Sequence, residues 1–388
     1  MQISVIVPIY HGEAFICSII DMMERNILSL SADNVQLELI LVSDDPSAEL
    51  SDYVSEMMKV RVINTNINRG IHGARVHGLQ HCLGDCVLFL DQDDIISDTF
   101  FQSQLAQIGD ADAVVCQAKH ENKLFYNYDL PFDRAITKEY MLTNGNSIVS
   151  PGQVLIKRSS ISKIWIENIQ TLNGADDFLL WMSMLGEGKR FALNQEILFE
   201  HTVDGNNTSW NTSKMLVSEH EAISILCKSG IFSSEDINRL EKLELKLRDK
   251  HIGILDKFKK MYFTLDKMIE LKQRGLTIKN FLLYQGIKDA AVYGAGYIGK
   301  RLAFELPDMK FFIDRNAEFI DIEQDIYLLD NAPADVDAVV ISMVQGLNEV
   351  KDLIKTKYPN AKIWTINELL SEMEARSHER SVGHYSNI

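Results

Sequence analysis

Positive charge and long apolar runs are both scarce in this sequence. Its 388 residues include 39 lysines and arginines against 55 aspartates and glutamates, which gives a net charge of -16. This excess of negative charge argues against a nucleic-acid-binding surface. No apolar run approaches the roughly 20 residues that cross a bilayer, and the chain opens on a strand-like segment instead of a signal peptide. We therefore expect a cytoplasmic protein with no nucleic-acid partner.

Cysteine is scarce as well. The five cysteines, at positions 17, 82, 86, 116 and 227, are odd in number and lie mostly in apolar segments. This usage excludes a small domain held together by disulfides and predicts reduced core residues. Cys82 and Cys86 flank Gly84 but lack the further partners of a zinc site.

The length predicts two domains with connections, because 388 residues exceed one ordinary core. Strand-like and helical segments alternate in the first half, which is typical of an α/β fold with a mostly parallel mixed sheet between helices. We predict strands over residues 3–10, 37–42, 60–64 and 87–90, and helices over 14–28 and 51–59. The predicted division is an α/β domain over 1–214, a helical connector over 215–284, a small Rossmann-like domain over 285–370 and a flexible tail over 371–388.

Acidic residues follow two of the predicted strands. Asp91 and Asp93 come directly after the apolar run Val87–Leu90, and Asp44 and Asp45 follow the strand 37–42. A strand alternates its side chains, so Asp91 and Asp93 share one side, where a hard cation could be held against phosphate oxygens. The alternative for a bare D-x-D triplet is a solvated turn that caps the next helix.

In open α/β sheets, ligands bind outside the carboxyl ends of the strands. A set of polar and ring side chains is predicted at that edge. Its members are Pro8, Tyr10, Asp44, Asp45, Arg75, Asp91 and Asp93.

Four motifs in this order carry a family resemblance. They are Val-Ile-Val-Pro-Ile-Tyr ending at Tyr10, Asp-Asp-Pro-Ser from Asp44, Asn-Arg-Gly followed by Ala74-Arg75, and Phe-Leu-Asp-Gln-Asp-Asp ending at Asp94. Together they resemble the family 2 glycosyltransferases of GT-A fold, over roughly the first half of the chain. The resemblance implies inverting sugar transfer from a nucleotide-activated donor, with a divalent metal such as Mn²⁺ or Mg²⁺.

The resemblance also implies roles for single residues. Pro8 and Tyr10 would line the pocket of the nucleotide base, and Asp44 or Asp45 would accept a hydrogen bond from that base. Arg75 would lie beside the nucleotide, and Asp91 and Asp93 would meet the ribose and the metal. Two positions depart from the family pattern, with Pro46 where glycine is usual and His77 where asparagine is common.

Two positions later in the chain complete the active site that the resemblance implies. Asp176 and Asp177 open an apolar helix, where the helix dipole alone would favour carboxylates. The family places an acid pair here, so Asp176 would belong to the donor side and Asp177 would be the general base. The resemblance also implies a metal or diphosphate contact for His201, whereas a lone histidine after a strand is more often structural. The Tyr-Arg pair that usually precedes this histidine is absent.

The predicted C-terminal domain carries a glycine motif of its own. Gly294, Gly296 and Gly299 lie between a strand and a helix, and Asp314 follows the next strand twenty residues after Gly294. This pattern is typical of a Rossmann-like half-unit. It indicates either a second nucleotide site or a unit used for packing and dimerisation.

The helical connector has a cluster of basic residues, which suggests contact with the inner face of a membrane. Acidic residues among them favour a solvated helical hairpin or a dimer seam instead. The cluster consists of Lys242, Lys246, Arg248, Lys250, Lys257, Lys259 and Lys260.

The sequence as a whole predicts a metal-dependent inverting glycosyltransferase of surface polysaccharide or glycoconjugate synthesis. The expected partners are a UDP-sugar or another nucleotide-sugar donor and a saccharide, lipid-linked or protein-linked hydroxyl acceptor. Three alternatives remain: a nucleotidyltransferase acting on a sugar phosphate, a non-catalytic sugar-nucleotide binding protein, and an NAD-dependent oxidoreductase built on the C-terminal glycines.

Overall fold

The computed structural model describes residues 1–30, 34–47, 50, 53–120, 123–126, 130–202, 211–306, 309–320 and 322–383. The chain divides into two compact units, Met1–His251 and Ile252–Ile388. The predicted connector therefore does not separate from its neighbours as a unit, and the predicted four-part division stays a prediction. Among the helices within these ranges, none combines the length and apolar character that a bilayer span requires.

The first unit contains nine strands in its described residues. They are β1 Gln2–Ile9, β2 Gln36–Ser43, β3 Lys59–Asn64, β4 Cys86–Phe89, β5 Ile95–Ile96, β6 Ala113–His120, β7 Lys123–Leu124, β8 Val154–Lys157 and β9 Phe191–Glu200. Its helices are α1 Ile16–Ser29, α2 Gly70–His81, α3 Phe100–Ile108, α4 Phe132–Ala135, α5 Lys138–Asn144, α6 Lys163–Glu167, α7 Asp176–Gly186 and α8 Thr212–Lys228. Helix α9, Ser234–Gln273, begins in this unit and continues into the second.

These strands form one mixed sheet in the order β3-β2-β1-β4-β8-β6-β9-β5, with β7 paired to β6. The half that contains β3, β2, β1 and β4 is parallel, with Ile9 opposite Ser43 and Ile6 opposite Phe89. Almost continuous apolar runs form these strands because both faces of a parallel sheet are covered. The carboxyl ends of β2, β1 and β4 therefore lie side by side, as the sequence predicts. The predicted mixed α/β fold class is confirmed.

The second half of the sheet is mixed, and its antiparallel pairing begins at β8. Strand β8 pairs antiparallel with both β4 and β6, and β9 runs parallel to β6. The backbone N–H of His201 donates to the Lys119 carbonyl at 2.9 Å, which extends this pairing one residue beyond β9.

Helix α2 lies very close to the parallel half of the sheet. A Cβ atom at Gly78 would lie 2.3 Å from Cγ2 of Ile6 and 3.0 Å from Cγ2 of Val42. Only glycine permits this approach, so Gly78 sets the distance between the sheet and the helix that carries Arg75.

The second unit contains a smaller parallel sheet. Its strands are β10 Ala290–Tyr293, β11 Phe311–Ile313, β12 Ile326–Tyr327, β13 Ala338–Ile341 and β14 Lys362–Thr365, and its helices after α9 are α10 Ile278–Tyr284, α11 Tyr297–Glu305, α12 Leu347–Lys357 and α13 Ile366–Gly383. The strand order is β12-β11-β10-β13-β14, and every pairing is parallel. The first strand of this unit is therefore central, flanked by β11 and β13.

Three sequence expectations differ from the structure. The predicted helix 51–59 is wrong, because residues 53–58 form no helix and Lys59 already begins β3. Ser55 Oγ accepts from the Met57 N–H at 3.1 Å and donates to Glu24 at 2.7 Å, a local bonding pattern that competes with helix formation. Residues 371–383, expected as tail, continue α13, in which Met373 is buried. Cys17 is exposed on α1, whereas Cys82, Cys86 and Cys116 are core residues.

Replacing Gly78 by alanine should lower the free energy of unfolding of the first unit by about 1 to 3 kcal/mol, because the new methyl group overlaps Ile6. Gln80→Ala on the exposed side of the same helix is the matched control, with an expected change within about 0.5 kcal/mol. Urea unfolding followed by circular dichroism measures both. Equal stability of the two variants would contradict the close packing.

Candidate active site

A buried arginine joins three separate segments of the first unit. Arg75 on α2 is 3% exposed. Its Nη1 donates to Asp176 Oδ2 at 2.6 Å, and its Nη2 donates to Asp91 Oδ1. Burial lowers the pKa of Arg75, but the two carboxylates raise it above its ordinary value by a larger amount. The arginine therefore stays charged and holds the acidic turn after β4 against the first turn of α7.

The two acids after β2 have different surroundings. Asp44 accepts hydrogen bonds from the Thr65 hydroxyl and the Arg69 N–H, both at 2.9 Å, and so shapes the loop that leads into α2. Asp45 accepts from the Ser47 hydroxyl at 2.6 Å and faces Nδ1 of His11 at 2.9 Å. Asp45 is therefore the acid that lies beside the end of β1.

The end of β1 is tied to the acidic turn by Gln92. The Tyr10 N–H donates to Gln92 Oε1 at 3.1 Å, and Gln92 Nε2 donates to the Tyr10 carbonyl at 3.3 Å. A Cβ atom at Gly12 would lie 2.0 Å from Gln92 Oε1, so this contact requires glycine. Tyr10 itself is 48% exposed and Pro8 is buried within β1. The sequence predicts no role for Gln92, since an amide between two acids is not a motif by itself.

His201 is oriented by a third acid of the turn. Its Nδ1 lies 2.9 Å from Asp94 Oδ1, and the Ser150 hydroxyl donates to the other oxygen of Asp94 at 2.9 Å. The hydrogen bond to Asp94 raises the pKa of His201, although burial opposes this. Because Nδ1 faces Asp94, Nε2 is the ring nitrogen left for a ligand. Asp94 is the last residue of the Phe-Leu-Asp-Gln-Asp-Asp motif, but its contact with His201 cannot be predicted from the sequence.

Asp177 lies next to Asp176 at the start of α7 and is half-buried. Its Oδ2 accepts from Asn146 Nδ2 at 2.7 Å. The other end of this amide accepts from the Ile148 N–H at 3.1 Å, which fixes which atom faces the acid. Burial and the neighbouring Asp176 raise the pKa of Asp177 to about 7, while Arg75 acts in the opposite direction. A carboxyl group with this pKa exchanges a proton readily near neutral pH.

A metal was predicted at Asp93 and His201. Within the described ranges, no three histidine, cysteine or acidic side chains are grouped closely enough to hold an ion by themselves. Mg²⁺ and Mn²⁺ are often held by one or two protein groups together with substrate phosphates. The charge of Asp93 raises the pKa of His201, so the two groups lie near each other. A carboxylate and an imidazole nitrogen suit such a shared site, and the metal role of Asp93 and His201 stays a prediction.

The C-terminal glycines lie in the second unit. Gly294 has a φ of +97°, and a Cβ atom at Gly299 would lie 1.9 Å from the Gly294 carbonyl oxygen. Among the described residues, apart from Gly296 and its two neighbours in the chain, no atom lies within 4 Å of the corresponding position at Gly296. Asp314 accepts from the Ala295 and Asn316 N–H groups, both at 2.9 Å. These bonds give Asp314 a structural role in the loop. The nucleotide-binding role of Gly294, Gly296, Gly299 and Asp314 stays a prediction.

Residues 4–165 match the family model described as glycosyl transferase family 2. This segment is a family 2 glycosyltransferase domain. The chain is 32% identical over 148 residues to an uncharacterized glycosyltransferase, EpsJ, of Bacillus subtilis, a match that covers 36% of the chain and 41% of that protein. It thus spans less than half the length of this relative.

A second relative is covered more fully. The chain is 26% identical over 221 residues to the putative teichuronic acid biosynthesis glycosyltransferase TuaG of Bacillus subtilis, which covers 55% of the chain and 83% of TuaG. Among solved structures, residues 1–349 of Staphylococcus aureus TarS are similar at 17% identity and a TM-score of 0.46, over 63% of this chain and 70% of that TarS segment. A likeness at that level carries no inference about ligands.

Replacing Arg75 by methionine should destabilise the glycosyltransferase domain by about 3 to 5 kcal/mol, because it leaves the buried carboxylate of Asp176 and the partly buried carboxylate of Asp91 without their cation. Arg25→Met is the matched control, since its ion pair with Asp98 is half exposed on both sides and should be worth less than about 1 kcal/mol. Urea unfolding at neutral pH compares the two. Similar losses in both variants would contradict the proposed importance of the Arg75 contacts.

Proposed function

We propose that the chain transfers a sugar, with inversion, from a nucleotide-diphosphate donor to a hydroxyl group of an acceptor in bacterial surface polysaccharide or glycoconjugate synthesis. The family 2 glycosyltransferase domain and the relatives EpsJ and TuaG support sugar transfer. The assignment of TuaG as a putative teichuronic acid biosynthesis glycosyltransferase supports the polysaccharide context. A UDP-sugar is the donor to test first, and the acceptor is a saccharide or a lipid-linked or protein-linked glycan.

Asp177 carries the proposal. With a pKa of about 7 and a carboxylate held by Asn146, it is suited to accept a proton from a weakly acidic hydroxyl. The acceptor oxygen attacks the anomeric carbon, its proton passes to Asp177, and the bond between that carbon and the diphosphate oxygen breaks. The products are the new glycoside, with inverted configuration, and a nucleoside diphosphate.

The donor would lie along the carboxyl ends of β1, β2 and β4. Exposed Tyr10 offers a ring for the base, and Asp45 offers a carboxylate that accepts its N–H. Because its side chain is buried, Pro8 would affect donor binding through the backbone shape at the end of β1. Asp91 and Asp176, both bound to Arg75, would border the ribose and diphosphate.

A divalent cation would be held by Asp93 and His201 together with the donor diphosphate. When bound, it would neutralise the charge that develops on the leaving diphosphate. The surrounding residues favour a cation, because Asp45, Asp91, Asp93 and Asp94 would otherwise repel the phosphates. Asp94 would orient His201 through the Nδ1 hydrogen bond.

Product analysis tests the proposed reaction directly. We expect nucleoside diphosphate to accumulate with a matching donor and acceptor, and Asp177→Asn to lower kcat by about 10² to 10⁴ while donor binding is retained. Asp21→Asn, an exposed acid on α1, is the control and should leave kcat unchanged. Release of pyrophosphate would indicate nucleotidyl transfer instead. Donor binding without turnover in any acceptor screen would indicate a sugar-nucleotide binding protein.

The pH profile tests the role of Asp177 separately. The base acts only when ionised, so kcat/KM should fall as pH decreases through about 7. Asn146→Ala removes a donor that stabilises the ionised form, which should raise the pKa of Asp177 and move this acid limb upward by about half a unit to one unit. Asn144→Ala leaves Asp177 untouched, since Asn144 bonds Tyr140 and Lys246. An unmoved acid limb in Asn146→Ala would exclude Asp177 as its source.

A further inference from the structure

Helix α8 lies directly against the loop that leads into the acid pair of α7. Gly174 in this loop has a φ of +148°, and a Cβ atom there would lie 2.6 Å from Sδ of Met215 and 3.4 Å from Cβ of Ser218. Met215 and Ser218 are both residues of α8. This helix lies outside residues 4–165, the segment that matches the family model. The family match therefore assigns no role to α8.

Helix α7 begins at a residue that cannot cap it. The N-cap position is Ala175, which is buried and whose methyl side chain offers no acceptor. A buried backbone N–H at a helix start needs a partner from elsewhere. The N–H of Ala175 donates to Ser218 Oγ at 2.9 Å. Helix α8 thus supplies the acceptor that the start of α7 lacks.

The hydroxyl of Ser218 bonds both ends of the turn before α7. It accepts from the Ala175 N–H, and it donates to the Leu172 carbonyl at 3.1 Å. The Ser218 side chain is fully buried, so bulk water does not compete for these two bonds. One hydroxyl therefore fixes the backbone of residues 172–175.

Other contacts hold the earlier part of the same loop. Gln170 Nε2 donates to the backbone carbonyl of Ser218 at 2.8 Å, and the Thr171 N–H donates to Glu221 at 2.9 Å. From α2, Nδ1 of His72 accepts from the Gln170 N–H at 3.0 Å. None of these bonds uses the Ser218 hydroxyl. Loss of that hydroxyl should therefore loosen the start of α7 and leave the rest of the loop in place.

The position of the candidate base depends on this helix start. Asp177 follows Ala175 by two residues in the first turn of α7. Its carboxylate must keep the 2.7 Å bond to Asn146 and face an acceptor hydroxyl at the same time. A displacement of about 1 Å at a reacting group can lower a rate by about 10². Tilting the first turn of α7 should therefore impair proton transfer.

We propose that Ser218 is a positioning residue, whose buried hydroxyl holds the turn before α7 and so keeps Asp177 directed at the acceptor hydroxyl. Ser218 acts through the backbone of α7 and not on the substrate. The inference rests on the proposed function, in which Asp177 takes the proton of the acceptor. It makes α8 a part of the chain that efficient transfer requires.

Replacing Ser218 by alanine removes both bonds of the hydroxyl. We expect kcat to fall by about 10-fold to 100-fold. A loosened first turn also admits water to Asp177, and burial is the main cause that raises the pKa of this carboxyl. The pKa should therefore fall by about half a unit to one unit, which moves the acid limb of kcat/KM downward. Ser224→Ala, the same change later on α8, is the matched control and should alter neither value.

A pair of variants of equal shape separates the hydroxyl from packing. Ser218→Thr and Ser218→Val each add bulk at the same place, but threonine alone keeps the hydroxyl. The threonine variant should retain a kcat at least about tenfold higher than the valine variant. Equal kcat values for the two would overturn the proposal, since the hydroxyl would then have no effect.

Titration of the Asp177 carboxyl by ¹³C NMR reads its position without any turnover, and Asp177→Asn assigns its signal. If wild type releases no nucleoside diphosphate and Ser218→Ala still lowers the pKa of Asp177, the proposed function fails and the positioning stands. If wild type turns over and Ser218→Ala changes neither kcat nor this pKa, the positioning fails alone. Lower thermal stability of Ser218→Ala with kcat and pKa unchanged would likewise show a purely structural serine.

Discussion

The first unit depends on one buried guanidinium. Arg75 contacts Asp91, which is 16 residues away, and Asp176, which is 101 residues away. A buried charge is very unfavourable unless it is paired and hydrogen-bonded, so the folded state requires all three residues to be in place together. This requirement positions the turn after β4 relative to the start of α7. The distance between the donor side and the candidate base Asp177 follows from that arrangement.

The aspartates at this edge of the sheet make different contacts, and their roles differ accordingly. Asp44 shapes a loop, Asp94 orients His201, and Asp91 and Asp176 balance Arg75. Among the acids of this edge, Asp177 has a pKa raised to about 7 by burial and by Asp176. In the proposed mechanism, similar side chains at one sheet edge would therefore supply structure, metal binding and proton transfer at the same time.

The sequence predicts which residues lie at the edge of the sheet better than it predicts the contacts that these residues make. The placement of Tyr10, Asp45 and Asp93 at one edge of the sheet follows from strand polarity, because the carboxyl ends of neighbouring parallel strands share that edge. The amide of Asn146 could not be found in the same way, since its loop reaches Asp177 only through tertiary packing. The predicted helix 51–59 failed for a local reason, the hydrogen bonds of Ser55, which helical periodicity does not detect.

The central claim is that acids from separate strand ends and from α7 surround one sugar-bearing diphosphate. A crystal structure with Mn²⁺ and a nucleotide-sugar donor, with anomalous scattering recorded at the manganese edge, tests it most directly. We expect a manganese peak beside Asp93 and the donor diphosphate, with Asp177 facing the anomeric carbon from the opposite side. A donor bound instead at the glycine loop of Gly294 and Gly296, or a manganese peak remote from Asp93, would contradict it.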